Sequence, residues 1–189
     1  MRVAFIIFDE LTFLDFVGFY DPITRLKTMG FIDNLEWRIC STTQQVVDDR
    51  GLKVEADLVA ESLESFDMLF VPGGFGTRKL QHDNAFVDWI KTAESAELKV
   101  SVCTGSLLLG AAGFLRGRRA TTHPNAYDEL TPYCDDVVRQ RIVDEGSIVT
   151  AGGVASSIDA GLHVVQKLAG PEARARIARQ MDYPYQAEI

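Results

Sequence analysis

Of the three cysteines in the chain, Cys40, Cys103 and Cys134, Cys103 has the neighbours of a reactive thiol. It follows the run Lys99–Val102 and precedes Gly105 and an apolar stretch, Gly105–Ala112. A residue wedged between a buried strand and a buried helix suits a sharp turn that lifts its side chain over a sheet edge. A helix starting at Thr104 would also place unpaired amides near the sulfur and favour the thiolate, so an acidic thiol below the ordinary cysteine range of about 8.5 is expected. Free cysteine is also a common core residue, and Cys40 and Cys134, which lack such a setting, default to that role. The three are scattered without a C-x-x-C pair, which argues against a zinc knuckle or a disulfide framework and for a reducing cytoplasm.

Two further segments offer partners for a thiol. Leu14-Asp15-Phe16-Val17-Gly18 holds a lone acid among apolar residues. Asp15 either caps a helix beginning at Phe16, or is desolvated by Leu14, Phe16 and Phe19 and keeps a proton available for acid–base work. Val71-Pro72-Gly73-Gly74 is either a tight turn or a place where a backbone amide of Gly73 or Gly74 reaches a substrate or an oxyanion. Gly152-Gly153 before a helix admits an anion in principle, though such pairs are common. His123 reads as a satisfied structural histidine, and His82 and His163 as surface or helix-face residues. No two histidines have ligand spacing, so no metal is expected.

These segments share one edge if the chain folds as its apolar pattern indicates. Short unalternated runs, Val3–Phe8, Glu36–Ser41, Asp67–Val71, Lys99–Val102 and Ser147–Thr150, alternate with helical stretches at Phe13–Met29, Asn84–Ala96, Gly105–Ala112, His123–Leu130, Gly153–Leu168 and Pro171–Met181. Arg118–Thr122 reads as a short strand and Asp48-Asp49-Arg50-Gly51 as a hairpin turn. The alternation predicts an α/β fold, a parallel sheet with helices on both faces. In such a sheet the loops leaving the carboxyl ends of the strands gather where ligands bind. Asp15, Gly73–Gly74 and Cys103 all follow strands.

The 189 residues fit one domain, 1–189, with no linker or repeat to divide it. A formal charge of −8 opposes nucleic-acid binding, since the one basic cluster, Arg116-Gly117-Arg118-Arg119, reads as a solvated turn. No run is apolar enough to span a bilayer. Asp9 and Glu10 directly follow the first apolar run, so that run reads as a buried strand rather than a signal sequence.

The glycine turn and Val102-Cys103-Thr104-Gly105 together resemble the ThiJ/PfpI superfamily over nearly the whole chain. Ser101-Val102-Cys103-Thr104-Gly105-Ser106-Leu107 and the run from Gly113 to His123 are most similar to its isocyanide hydratase branch. The resemblance implies a flavodoxin-like homodimer without a cofactor that hydrates R–N≡C to a formamide. It makes Cys103 the nucleophile and Asp15 the acid that also activates water, with Thr104 and the Gly74 amide positioning the reacting groups. Branches that cleave peptides carry histidine directly after the cysteine; Thr104 stands there instead, which sets proteolysis aside. The superfamily also implies that the apolar first helix, with Phe13, Phe16, Phe19 and Tyr20, lies near a partner subunit. The segment from Thr150 to Asp159 and the run from Arg118 to His123 are also similar to the sensing domain of AraC-type regulators. Those add a helix-turn-helix module that the sequence up to Ile189 does not contain, so the expectation is an enzyme, with a stand-alone ligand-binding or redox-sensing domain as the alternative.

Overall fold

A computed structural model describes residues 1–184; the last five residues of the expected domain lie outside the described residues. The apolar run near the N-terminus forms β1 (Arg2–Ile6) and leads into α1 (Phe13–Thr28). The chain returns through β2 (Glu36–Ser41), a hairpin of β3 (Gln45–Val47) and β4 (Lys53–Glu55), and the short β5 (Leu58–Val59). Next come β6 (Met68–Val71), the short α2 (Thr77–Leu80), α3 (Asn84–Lys91), β7 (Leu98–Val102) and α4 (Gly105–Ala111). The segment Arg118–Thr122 supplies β8 (Arg119–Ala120). The predicted helix from His123 is instead a 3₁₀ turn at Pro124–Ala126 followed by α5 (Tyr127–Leu130). After β9 (Asp136–Val137), β10 (Ile142–Asp144) and β11 (Ile148–Ala151), the chain closes on α6 (Ser156–Gln180), broken at Gly170 where φ is 85°. That break separates the two closing helices expected around Pro171.

The main sheet has seven strands in the order β10-β11-β7-β6-β1-β2-β5. All its pairs are parallel except β10 against β11. Strand order reverses between β1 and β6, where the loop after each strand leaves for opposite sides, and a crevice forms at such a point. This is the expected flavodoxin-like arrangement. The central strands are buried from end to end, as unalternated apolar runs must be when helices cover both faces.

α1 packs against α6, and the approach is close because Gly18 and Gly161 carry no side chain. A Cβ on Gly161 would sit 2.3 Å from the Pro22 ring, and one on Gly18 would meet the Ser157 side chain. The aromatic residues of α1 turn inward. Phe19 stacks on Phe70 at 4.0 Å between ring centres, and Phe16 meets the edge of Phe5. Phe16 and Phe19 therefore belong to this chain's own core. Leu14 on that helix remains 52% exposed.

Candidate active site

Cys103 sits at the turn from β7 to α4 with φ at 55°, in the left-handed region that costs a side-chain-bearing residue about 1–3 kcal/mol. The surroundings hold it there. Its N–H donates to the carbonyls of Gly152 (2.8 Å) and Ala151 (3.0 Å), and its own carbonyl accepts the hydroxyls of Thr122 (2.9 Å) and Ser106 (3.2 Å). Gly105 is needed beside it because a Cβ there would lie 2.3 Å from the Val71 carbonyl oxygen. The strained elbow read from the sequence is present, and the Thr121-Thr122 pair before His123 is part of what clamps it.

Asp15 comes to the same point from α1. The helix begins at Phe13 with Thr12 at its N-cap position, so Asp15 lies in the first turn and is not the cap. Its carboxyl is 0% exposed. Oδ2 accepts the Gly73 amide at 3.0 Å, while Oδ1 is buried with no full hydrogen-bond partner. Burial pushes the Asp15 pKa up to about 7, against the opposing pull of the Gly73 amide and the adjacent Cys103 thiol. Of the two readings of Asp15, the structure excludes the helix cap and leaves a desolvated carboxyl.

The thiol departs from the sequence reading. Burial first, and then the Asp15 carboxylate, push the Cys103 pKa up to about 12, outweighing the hydrogen bonds from Thr104 that favour the thiolate. The expected acidic thiol is therefore corrected: the resting site holds a thiol facing a carboxyl group. Burial of the sulfur, and then the carboxylate that α1 delivers to it, outweigh the pull of the helix start.

The glycine turn has a different part from the one expected of it. Gly74 adopts φ of 139°, and a Cβ there would strike the Glu10 carbonyl at 2.3 Å, so only glycine serves. The Gly74 amide donates to Thr104 Oγ1 at 3.1 Å, and that hydroxyl is within 3.1 Å of the Gly74 carbonyl. Both glycine amides are thus engaged by the side chains they hold, Gly73 with Asp15 and Gly74 with Thr104, rather than standing open as oxyanion donors. A Cβ on Gly73 would come within 2.8 Å of Cys103 Cβ, the Thr104 amide and Asp15 Oδ2 alike, which shows how tightly the glycine, acid, thiol and hydroxyl converge. Gly153 stands apart from this cluster: a Cβ there would lie 3.1 Å from His123 Cδ2, so it makes room for that ring.

Cys103 and Thr104 open into a pocket of about 250 Å³ whose wall includes Thr12, Phe75, Arg78, His123 and Val154. A larger crevice of about 710 Å³ lies on the other side of the Glu10 loop and contains no cysteine. His123, read as structural, lines the small pocket, with Nδ1 accepting the Asn125 amide at 3.1 Å. Asp49 of the hairpin reaches Thr12 Oγ1 at 2.9 Å, a long-range contact that a turn motif does not announce. Among the described residues, no cluster of His, Cys, Asp and Glu is arranged to hold a metal ion, and no helix is long and apolar enough to cross a membrane.

Residues 1–167 match the DJ-1/PfpI family. The chain is similar to the isonitrile hydratase of Pseudomonas putida, 35% identical over 97% of this chain and 78% of that enzyme. It is 28% identical to the HTH-type transcriptional regulator CdhR of Pseudomonas aeruginosa, over 93% of this chain but only 53% of the regulator. Among solved structures, a ThiJ/PfpI family protein from Pseudomonas syringae superposes with a TM-score of 0.87 at 26% identity, covering 100% of this chain and 77% of that one. The oxidized DJ-1 of Toxoplasma gondii gives 0.80 at 24% identity, over 97% and 99% of the two chains.

Proposed function

We propose that this chain, which belongs to the DJ-1/PfpI family, hydrates small isocyanides to N-substituted formamides through a covalent thioimidate on Cys103. The observation that carries the reading is the buried Asp15 carboxyl facing the Cys103 thiol, with Oδ2 held by Gly73 and Oδ1 left unpaired. Terminal isocyanide carbon is apolar and electrophilic, which suits a soft sulfur nucleophile. The lone pair that this carbon already carries becomes a carbanion once sulfur adds, which needs a proton donor at hand.

The steps balance with water alone. Cys103 Sγ bonds to the terminal carbon as its proton passes to Asp15, and Asp15 delivers that proton to the same carbon, giving S–CH=N–R. Asp15, again a carboxylate, takes a proton from water as the water oxygen bonds to the carbon, and returns that proton to nitrogen. The hydroxyl proton of that adduct then passes by way of Asp15 to the sulfur as the C–S bond breaks, releasing R–NH–CHO and restoring the Cys103 thiol. Nothing is oxidised or reduced, so the cycle calls for no redox cofactor. Thr104, fixed by both polar groups of Gly74, positions the sulfur and offers a hydroxyl beside it.

Similarity to the P. putida isonitrile hydratase supports the reading, and similarity to a transcriptional regulator keeps a second one in view: the same pocket as a ligand sensor. Acid-quenched intact-mass measurement during reaction with a small isocyanide separates them. The hydratase reading expects a Cys103 adduct whose added mass equals that of the isocyanide, absent in Cys103→Ala. A protein that binds the isocyanide reversibly and never forms the adduct would favour the sensor. The protein is further proposed to act as a homodimer, with Leu14 and Phe75, both exposed, at the subunit contact.

A further inference from the structure

The wall of the Cys103 pocket is rich in hydrogen-bond donors. Arg78 gives Nε and Nη2 to Glu129 Oε1, at 3.2 and 2.8 Å, which leaves its Nη1 without a partner among the described residues. His123 accepts at Nδ1, so its ring proton is on Nε2, which bonds no atom of the described residues. The Asn125 side chain makes no hydrogen bond among them either, and all three residues line the pocket. Both guanidinium groups of the lining already meet a carboxylate, Arg78 that of Glu129 and Arg50 that of Asp49, so the wall offers hydrogen-bond donors rather than a surplus of positive charge. The larger crevice instead carries Asp9, Glu10 and Asp48 against Lys79. The pocket is small, about 250 Å³, which favours a small substrate.

Resting on the isocyanide reading, we infer that the substrate is a small isocyanide bearing a carboxylate, whose anionic end is received by Arg78 Nη1 with support from His123 Nε2–H and the Asn125 amide. Guanidinium recognises carboxylate through strong charge-assisted hydrogen bonds. The carboxylate end then lies against the donor wall while the isocyanide carbon points at Cys103, which fixes which end reacts.

The test compares isocyanoacetate with its neutral methyl ester as substrates, and N-formylglycine with its methyl ester as ligands in titration calorimetry. Wild type is expected to favour each acid by about tenfold or more. Arg78→Gln should erase most of that preference, whereas Glu129→Gln, which removes the charge opposite Arg78 but spares the guanidinium, should retain it. Equal handling of acid and ester by wild type, or equal loss of preference in both variants, would overturn the inference. If neither isocyanide is hydrated yet N-formylglycine binds in preference to its ester and does so through Arg78, the anion site stands and the hydratase reading falls.

Discussion

Cys103 and Asp15 titrate against each other, and the pair sets the pH response of the site. With Asp15 near 7 and Cys103 near 12, the two groups share one proton between those limits, which is the state with a carboxylate able to take the thiol proton. The kcat/KM for isocyanide hydration should therefore rise as pH passes through about 7 and hold well into alkaline pH. A rate that falls across pH 6–8 would contradict the assignment. Asp15→Asn removes the transferable proton and should lower turnover by about a hundredfold or more. The same substitution should stabilise the protein at pH 8. A carboxyl whose folded pKa exceeds its unfolded value of 3.8 binds more protons when folded, so wild-type stability declines as pH climbs from about 4 to about 7. The shift bounds that loss at about 4 kcal/mol, and a higher melting temperature for Asp15→Asn at pH 8 but not at pH 4 is the expected outcome. Cys103, Asp15 and the glycine pair were legible as candidates from residue type and from their positions after strands, and Thr104 from the family resemblance. The direction of the thiol shift was not, because it comes from burial and from a charge carried by a distant helix.

The elements that bring these residues together are tied by close approach. α1 presents Asp15 and rests on α6 through Gly18 and Gly161. Gly161→Ala would press a methyl group into the rigid Pro22 ring, at a cost of about 1–3 kcal/mol. A lowered melting temperature together with reduced turnover, as Asp15 is shifted from Cys103, is expected; an unchanged melting temperature would show that the two helices have slack. The strands, the α1 span and the helix after Cys103 follow from apolar runs and from Gly105, so the sheet and its binding edge were readable in advance. β5, β9 and β10 were not: each has three residues or fewer, too short for a periodic signal, and β10 is defined by its antiparallel pairing with β11 rather than by its composition. The donor wall was hidden for a related reason, since Arg78, His123 and Asn125 meet only when α2 and the turn after β8 fold over one pocket.

For the whole molecule, Leu14 at 52% and Phe75 at 69% exposure leave large apolar side chains in water, Phe75 on the wall of the Cys103 pocket. The proposed dimer would cover them. Sedimentation at micromolar concentration should give a dimer, and Phe75→Ser should weaken it; a wild-type protein that sediments only as monomer would contradict the proposed assembly. The proposed reaction stands or falls with the Cys103 sulfur. The direct measurement is formamide production from a small isocyanide, followed by NMR, in wild type and in Cys103→Ala of verified native melting. Production by wild type and none above the uncatalysed rate in the variant is the predicted result. Undiminished production without the sulfur, or none by wild type with any isocyanide small enough for the pocket, would contradict it.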